Sequence, residues 1–103
     1  MPLSTKDKKH LKAIGHHLKP VLQLGDKGLT EALTTELDNR LEDHELIKVK
    51  VAGLDRDDRE AVITALCDST RAELVQRIGN IALLYRAAAK PNPRLSNLLR
   101  HTG

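Results

Sequence analysis

The sequence predicts an α/β fold of the α+β type, a sandwich of helices on a mixed four-stranded sheet, and three observations carry that reading. Apolar residues recur at helical spacing in three separate stretches, Ile47, Val49 and Val51 alternate with lysines as in a strand, and Gly79-Asn80 divides two strand-like runs as a two-residue hairpin turn would. The predicted order is helix, strand, helix, strand, helix, strand, strand.

Ser4 followed by Asp7 has the form of a helix start, and Leu11, Ile14 and Leu18 then recur at helical spacing until Pro20 blocks continuation. This first helix, about residues 4–17, is basic and amphipathic. Pro20 to Leu24 is too short for a helix between Pro20 and Gly25 and is predicted as a buried strand. After Gly25-Asp26-Lys27-Gly28, Leu29, Leu33, Leu37 and Leu41 repeat every four residues and predict a second helix directly behind the loop.

Leu46 to Val51 is predicted as a half-exposed strand with Ile47, Val49 and Val51 inward and Lys48 and Lys50 on the opposite face. Gly53 ends it. Asp55 with Asp58 begins a third helix whose apolar side includes Val62, Ala65, Leu66 and Cys67. Glu73 to Ile78 and Ile81 to Arg86 form the closing hairpin. The 103 residues fit one domain, residues 1–89, followed by a basic, mobile tail over 90–103, where Lys-Pro-Asn-Pro-Arg lacks a packing pattern and Leu95, Leu98 and Leu99 have the choice of a short helix or docking.

Hydrophobic residues make up 40% of the chain and charged residues 30%, the balance of a globular protein rather than a membrane span. Tyr85 is the only aromatic residue, so aliphatic side chains must build the core, and Tyr85 itself is expected there more than stacked on a base. The first twenty residues hold neither an apolar run nor a small-residue cleavage site, which predicts no signal, no anchor and a cytoplasmic protein. Lone Cys67 agrees with a reducing compartment and is expected to be a small buried hydrophobe.

The net charge of +3 hides segregation: Lys6, Lys8, Lys9, Lys12 and Lys19 face only Asp7 near the start, and Arg86, Lys90, Arg94 and Arg100 face no acid near the end. Between them, Glu31, Glu36, Asp38, Glu42, Asp43 and Glu45 face only Arg40. Such asymmetry suggests one surface offered to a phosphate backbone and another turned away, although charge runs also merely solvate helices.

Gly25-Asp26-Lys27-Gly28 lies between a predicted strand and helix, where a Gly-x-x-Gly loop can clamp nucleic-acid backbone. Glycines admit close approach of phosphate, a helix start offers N–H groups and a positive dipole end, and Lys27 adds charge. The same spacing flanks ordinary turns. Asp26 would oppose a phosphate unless it points outward or caps the helix. Lys48 and Lys50 share a strand face and serve either RNA contact or solubility. His10, His16, His17, His44 and His101 form no metal-binding spacing, and Ser4, Ser69 and Ser96 lack a nucleophile motif.

Taken together, Leu18-Lys19-Pro20-Val21, Gly25 to Glu31, His44 to Lys50, and Ile78-Gly79-Asn80 through Leu84-Tyr85-Arg86 resemble the YhbY family over roughly residues 3–88. That family is the bacterial stand-alone form of the CRM domain found in organelle RNA-splicing proteins. The resemblance implies a KH-like fold, a Gly-x-x-Gly loop at Gly25, Lys27 and Gly28, RNA binding aided by basic surface, association with precursors of the large ribosomal subunit, and no catalysis. Lys48 and Lys50 fall in the family's Leu-Ile-Lys-Val-Lys strand.

The expected function is therefore binding of ribosomal RNA through Gly25, Asp26, Lys27 and Gly28 with Lys6, Lys8, Lys9, Lys12, Lys19, Lys48 and Lys50, by a monomer that needs no cofactor, metal, membrane or small-molecule substrate. The alternative is an adaptor that docks on a ribosomal protein or assembly enzyme through the acidic second helix or the leucine-bearing tail.

Overall fold

Each helix begins on a side chain that bonds a free backbone N–H. The structure, a computed structural model, describes residues 3–25, 30–53 and 55–99. In α1 (Thr5–Gly15), Ser4 Oγ accepts from the Asp7 N–H at 3.0 Å while the Asp7 carboxylate accepts from the Ser4 N–H, a reciprocal capping box. Thr30 caps α2 (Glu31–His44) through the Leu33 N–H at 3.2 Å. Asp55 caps α3 (Arg56–Thr70) through the Asp58 N–H at 2.9 Å.

The strands are β1 (Pro20–Leu24), β2 (Leu46–Val51), β3 (Glu73–Ile78) and β4 (Ile81–Tyr85), in the spatial order β1-β2-β4-β3. β1 runs parallel to β2, reached by way of α2, and the other pairings are antiparallel. Gly79 takes φ +58° in the hairpin turn, a conformation that glycine adopts without the penalty a Cβ would bring.

The sheet has an apolar layer on each side. On one, Leu37 and Leu41 of α2 and Ile63 and Leu66 of α3 pack on Leu24, Ile47, Val49, Val51, Ala82 and Leu84. On the other, Leu11 and Ile14 of α1 pack on Leu46, Val75 and Leu83. The radius of gyration, 12.9 Å, is that of one compact domain, about 13 Å at this length. The predicted α+β sandwich is thus the observed one, with helices on both faces. No helix of the described residues is long and apolar enough to cross a membrane.

Several details differ from expectation. Ile63, not Ala65, faces inward from α3, since Ile63 and Leu66 stand three residues apart on one side while Ala65 is turned to solvent. Cys67 is half-buried rather than buried, and burial, with Asp68 and Glu73 nearby, pushes its thiol pKa up. The lysine face of β2 is not simply solvent, because α1 lies over part of it and leaves Lys48 half-buried.

The C-terminal segment, expected as a mobile tail, has a defined course over residues 90–99. Residues 90–99 run back along the body, held by acids of α2 and its end, while Arg100 to Gly103 lie outside the described residues. The Glu42 carboxylate accepts the N–H groups of Ala89 and Lys90 at 3.1 and 3.0 Å. Glu45, buried at φ 63°, accepts from the Ala88 N–H at 2.9 Å and the Ser96 hydroxyl at 2.7 Å. Asn97 donates from its backbone to the His44 carbonyl and from its side chain to the Leu46 carbonyl.

Candidate nucleic-acid interface

The site is built on the α1 side of the sheet, where the strand register gathers side chains distant in sequence. Pro20 pairs with Lys48, Lys48 with Leu83 and Leu83 with Gln76, forming one row across the sheet. The next row crosses all four: Gln23 pairs with Lys50, Lys50 with Ile81, and Ile81 with Ile78. α1 covers the first row in part and stops short of the second. Gly15 permits the close approach, since a Cβ there would stand 2.6 Å from Cδ2 of Leu83.

A groove of about 500 Å³ opens between α1 and these rows, with Lys9, Lys12 and His16 on its helix wall and Lys48 and Gln76 on its sheet wall. Lys9, Lys12 and His16 share one side of α1 because they are spaced three and four residues apart. A shallower depression at the outer edge of the same face is lined by Lys19, Val21, Gln23 and Lys50. The two adjoin through the Gln23–Lys50–Ile81–Ile78 row.

Of the expected contacts, then, Lys9, Lys12, Lys19, Lys48 and Lys50 come together on one face. Lys6 and Lys8 line neither groove, although Lys6 is exposed on the same helix. Lys48 also braces the fold, because its Nζ donates to the Leu18 carbonyl at 3.1 Å and ties the end of the α1 segment to the sheet. The groove was not foreseeable from the sequence, and neither was Gln76, whose only signal is its place in a strand beside Leu83.

Gly25 leaves β1 at the end of the sheet where the lysine-bearing row lies, two residues beyond Gln23. It is exposed, a Cβ there would meet nothing within 4 Å among the described residues, and its backbone is not left-handed. Packing against the described residues therefore does not require glycine at this position. Asp26, Lys27, Gly28 and Leu29 lie outside the described residues. The cap of α2 is Thr30, which fills the role considered for Asp26, and Glu31 adds a carboxylate in the first turn.

The acids of α2 lie on the opposite side of the sheet, and several are occupied. Arg86, expected as part of a free basic end, is instead bound by Asp38, by the Asp38 and Thr70 carbonyls at 3.0 Å each, and by Glu42 at 3.7 Å. The N–H groups of Lys90 and Ala89 hold the Glu42 carboxyl below the usual carboxylate range, with Arg86 adding to the effect. Tyr85 is half-buried at the margin of the α1-side cluster, beside Leu3 and Leu98, so it is a packing residue. Among the described residues, no group of three His, Cys, Asp or Glu side chains could hold a metal ion.

Comparison with known proteins places this geometry in context. The family model of the CRS1 / YhbY (CRM) domain matches residues 3–86. A Pseudomonas aeruginosa protein named Probable RNA-binding protein is 53% identical over 103 residues, covering 100% of this chain and 99% of its own. A Haemophilus influenzae RNA-binding protein is 50% identical over 93 residues, covering 90% and 94%. The solution structure of a Staphylococcus aureus protein superposes with a TM-score of 0.75 at 36% identity, covering 86% of this chain and 93% of that one.

Proposed function

Because the chain belongs to the CRS1 / YhbY (CRM) domain family, we propose that it binds RNA backbone through the lysine-bearing α1 and sheet face together with the loop from Gly25 to Gly28, and that its target is ribosomal RNA in precursors of the large subunit. The observation that carries the reading is the convergence of Lys9, Lys12, Lys19, Lys48 and Lys50 on one face, with the acidic helix α2 packed on the other. Relatives named as RNA-binding proteins support it.

A polyanion approaching the lysine face releases its condensed counterions, so most of the affinity is electrostatic and independent of base sequence. The open backbone at Gly25 leaves room for a phosphate where a side chain would stand in the way. The chain acts as a non-catalytic monomer. The adaptor reading is weaker than the sequence suggested, because Asp38, Glu42 and Glu45, which would have met a basic partner, already hold Arg86 and the C-terminal segment.

A salt titration tests the proposal. The affinity for structured ribosomal RNA should fall linearly with salt on logarithmic axes, and Lys9→Glu/Lys12→Glu should weaken binding and flatten that slope by about one unit for each phosphate no longer neutralised. Lys6→Glu should do less. Binding that ignores salt, or an intact slope in the folded double variant, would overturn the assignment of this face.

A further inference from the structure

We propose that the open end of the α1-side sheet face seats one unpaired RNA nucleotide, with its base against Ile81 and Ile78 and its flanking phosphates on Lys9, Lys12 and Lys50. The inference deepens the RNA-binding reading and rests on it. Its first support is register: the Gln23–Lys50–Ile81–Ile78 row spans the sheet, yet α1 buries only Leu46, Val75 and Leu83 on this face. Ile78 is left 65% exposed.

A single exposed isoleucine is ordinary, so the composition of the groove decides the matter. Its floor is Ile78, Ile81 and Leu83 with Lys48 beside them, its rim carries Lys9, Lys12 and Gln76, and Lys50 borders it through its pairing with Ile81. An apolar floor inside a cationic rim complements a ligand that has a flat apolar face joined to anions on either side. A nucleotide within a strand has that form.

Gln76 supplies the third support. Its side-chain amide is bonded to no described residue, and it offers two donors and an acceptor to the edge of a base lying across the floor. A paired base is stacked above and below and cannot present its face, and the deep major groove of an A-form helix is too narrow for side chains to enter. The seat therefore selects a bulged or single-stranded nucleotide. Contact is aliphatic rather than aromatic, which places its contribution at the lower end of what base stacking gives.

The test compares two RNA duplexes of equal length, one fully paired and one carrying a single bulged uridine. The intact chain should bind the bulged duplex about five- to tenfold more tightly. Ile78→Ala/Ile81→Ala, which keeps every lysine, should erase that preference while leaving affinity for the paired duplex unchanged. If the half-buried Ile81 proves necessary for folding, Ile78→Ala alone should reduce the preference, since that side chain is exposed.

Equal binding of both duplexes by the intact chain, or an undiminished preference in the folded variant, overturns the nucleotide seat and leaves the RNA reading standing. No binding to either duplex overturns both. Displacement of the bulged duplex by polyglutamate at equal charge, as effectively as by RNA, would assign the groove to an acidic peptide and overturn the seat as well.

Discussion

The hydroxyl of Ser96 donates a 2.7 Å hydrogen bond to Oε1 of Glu45, and both residues are buried. The same Ser96 oxygen accepts from the N–H groups of Leu98 and Leu99 at 3.2 and 3.3 Å. Hydrogen bonds to charged groups contribute about 1.5–3 kcal/mol, and a buried carboxylate deprived of a donor costs more than an exposed one. Ser96→Ala should therefore destabilise the fold by about 2 kcal/mol and lower Tm by roughly 10 °C. RNA affinity at low temperature should be unchanged, because the lysine face lies elsewhere. An unaltered melt would show that the C-terminal segment is not part of the cooperative unit.

Glu42 gives the molecule a local acid response. Its carboxyl is held low by the Lys90 and Ala89 N–H groups, and a folded-state value below the unfolded one means the contribution is complete above the ordinary carboxylate range and disappears as pH falls through the lowered value. Arg86 acts in the same direction, while Asp38 opposes it. NMR titration of the Lys90 amide should show a midpoint below the usual glutamate range, and Glu42→Gln should abolish that transition. A midpoint at the ordinary value would contradict the bonded geometry.

Gly15→Ala sets two effects against each other. Alanine favours the helix by up to about 1 kcal/mol over glycine, but its Cβ would stand 2.6 and 2.8 Å from the two δ-carbons of buried Leu83. Overpacking of this kind costs about 1–3 kcal/mol, so the net expectation is a loss of about 1 kcal/mol in urea denaturation. Leu83→Val in the same chain should return part of it by making room. A more stable Gly15→Ala protein would mean that α1 rides over the sheet less tightly.

Gly25→Ala should separate folding from binding. A Cβ there meets no atom of the described residues and no left-handed backbone is required, so stability should hold or rise by about 0.4–1 kcal/mol through the unfolded chain. RNA affinity should fall if phosphate approaches the main chain. Lys27→Asp should weaken binding further by placing a second carboxylate beside Asp26. Two folded variants that bind RNA as the parent does would reduce Gly25 to Gly28 to a turn.

The fold was largely legible because its signals are local. Ser4 with Asp7 and Asp55 with Asp58 mark helix starts, Ile47, Val49 and Val51 mark a strand face, and Gly79-Asn80 marks the hairpin. What stayed hidden depends on contacts far apart in sequence. Glu45 and Ser96 are ordinary surface types until the fold brings them together across 51 positions. Likewise the lysines of α1 and β2 could each be singled out by charge, but their shared groove is created by register, by the close pass at Gly15 and by Gln76, none of which leaves a pattern along the chain.

Tyr85 stands where the last strand, the α1-side cluster and Leu98 of the C-terminal segment meet, in a chain with no tryptophan or phenylalanine. The molecule thus carries one intrinsic fluorophore, set at a joint rather than in the deep core. Burial raises the pKa of its phenol, so the emitting form stays neutral through the physiological range. Light from this single position reports how the C-terminal segment seats against the sheet.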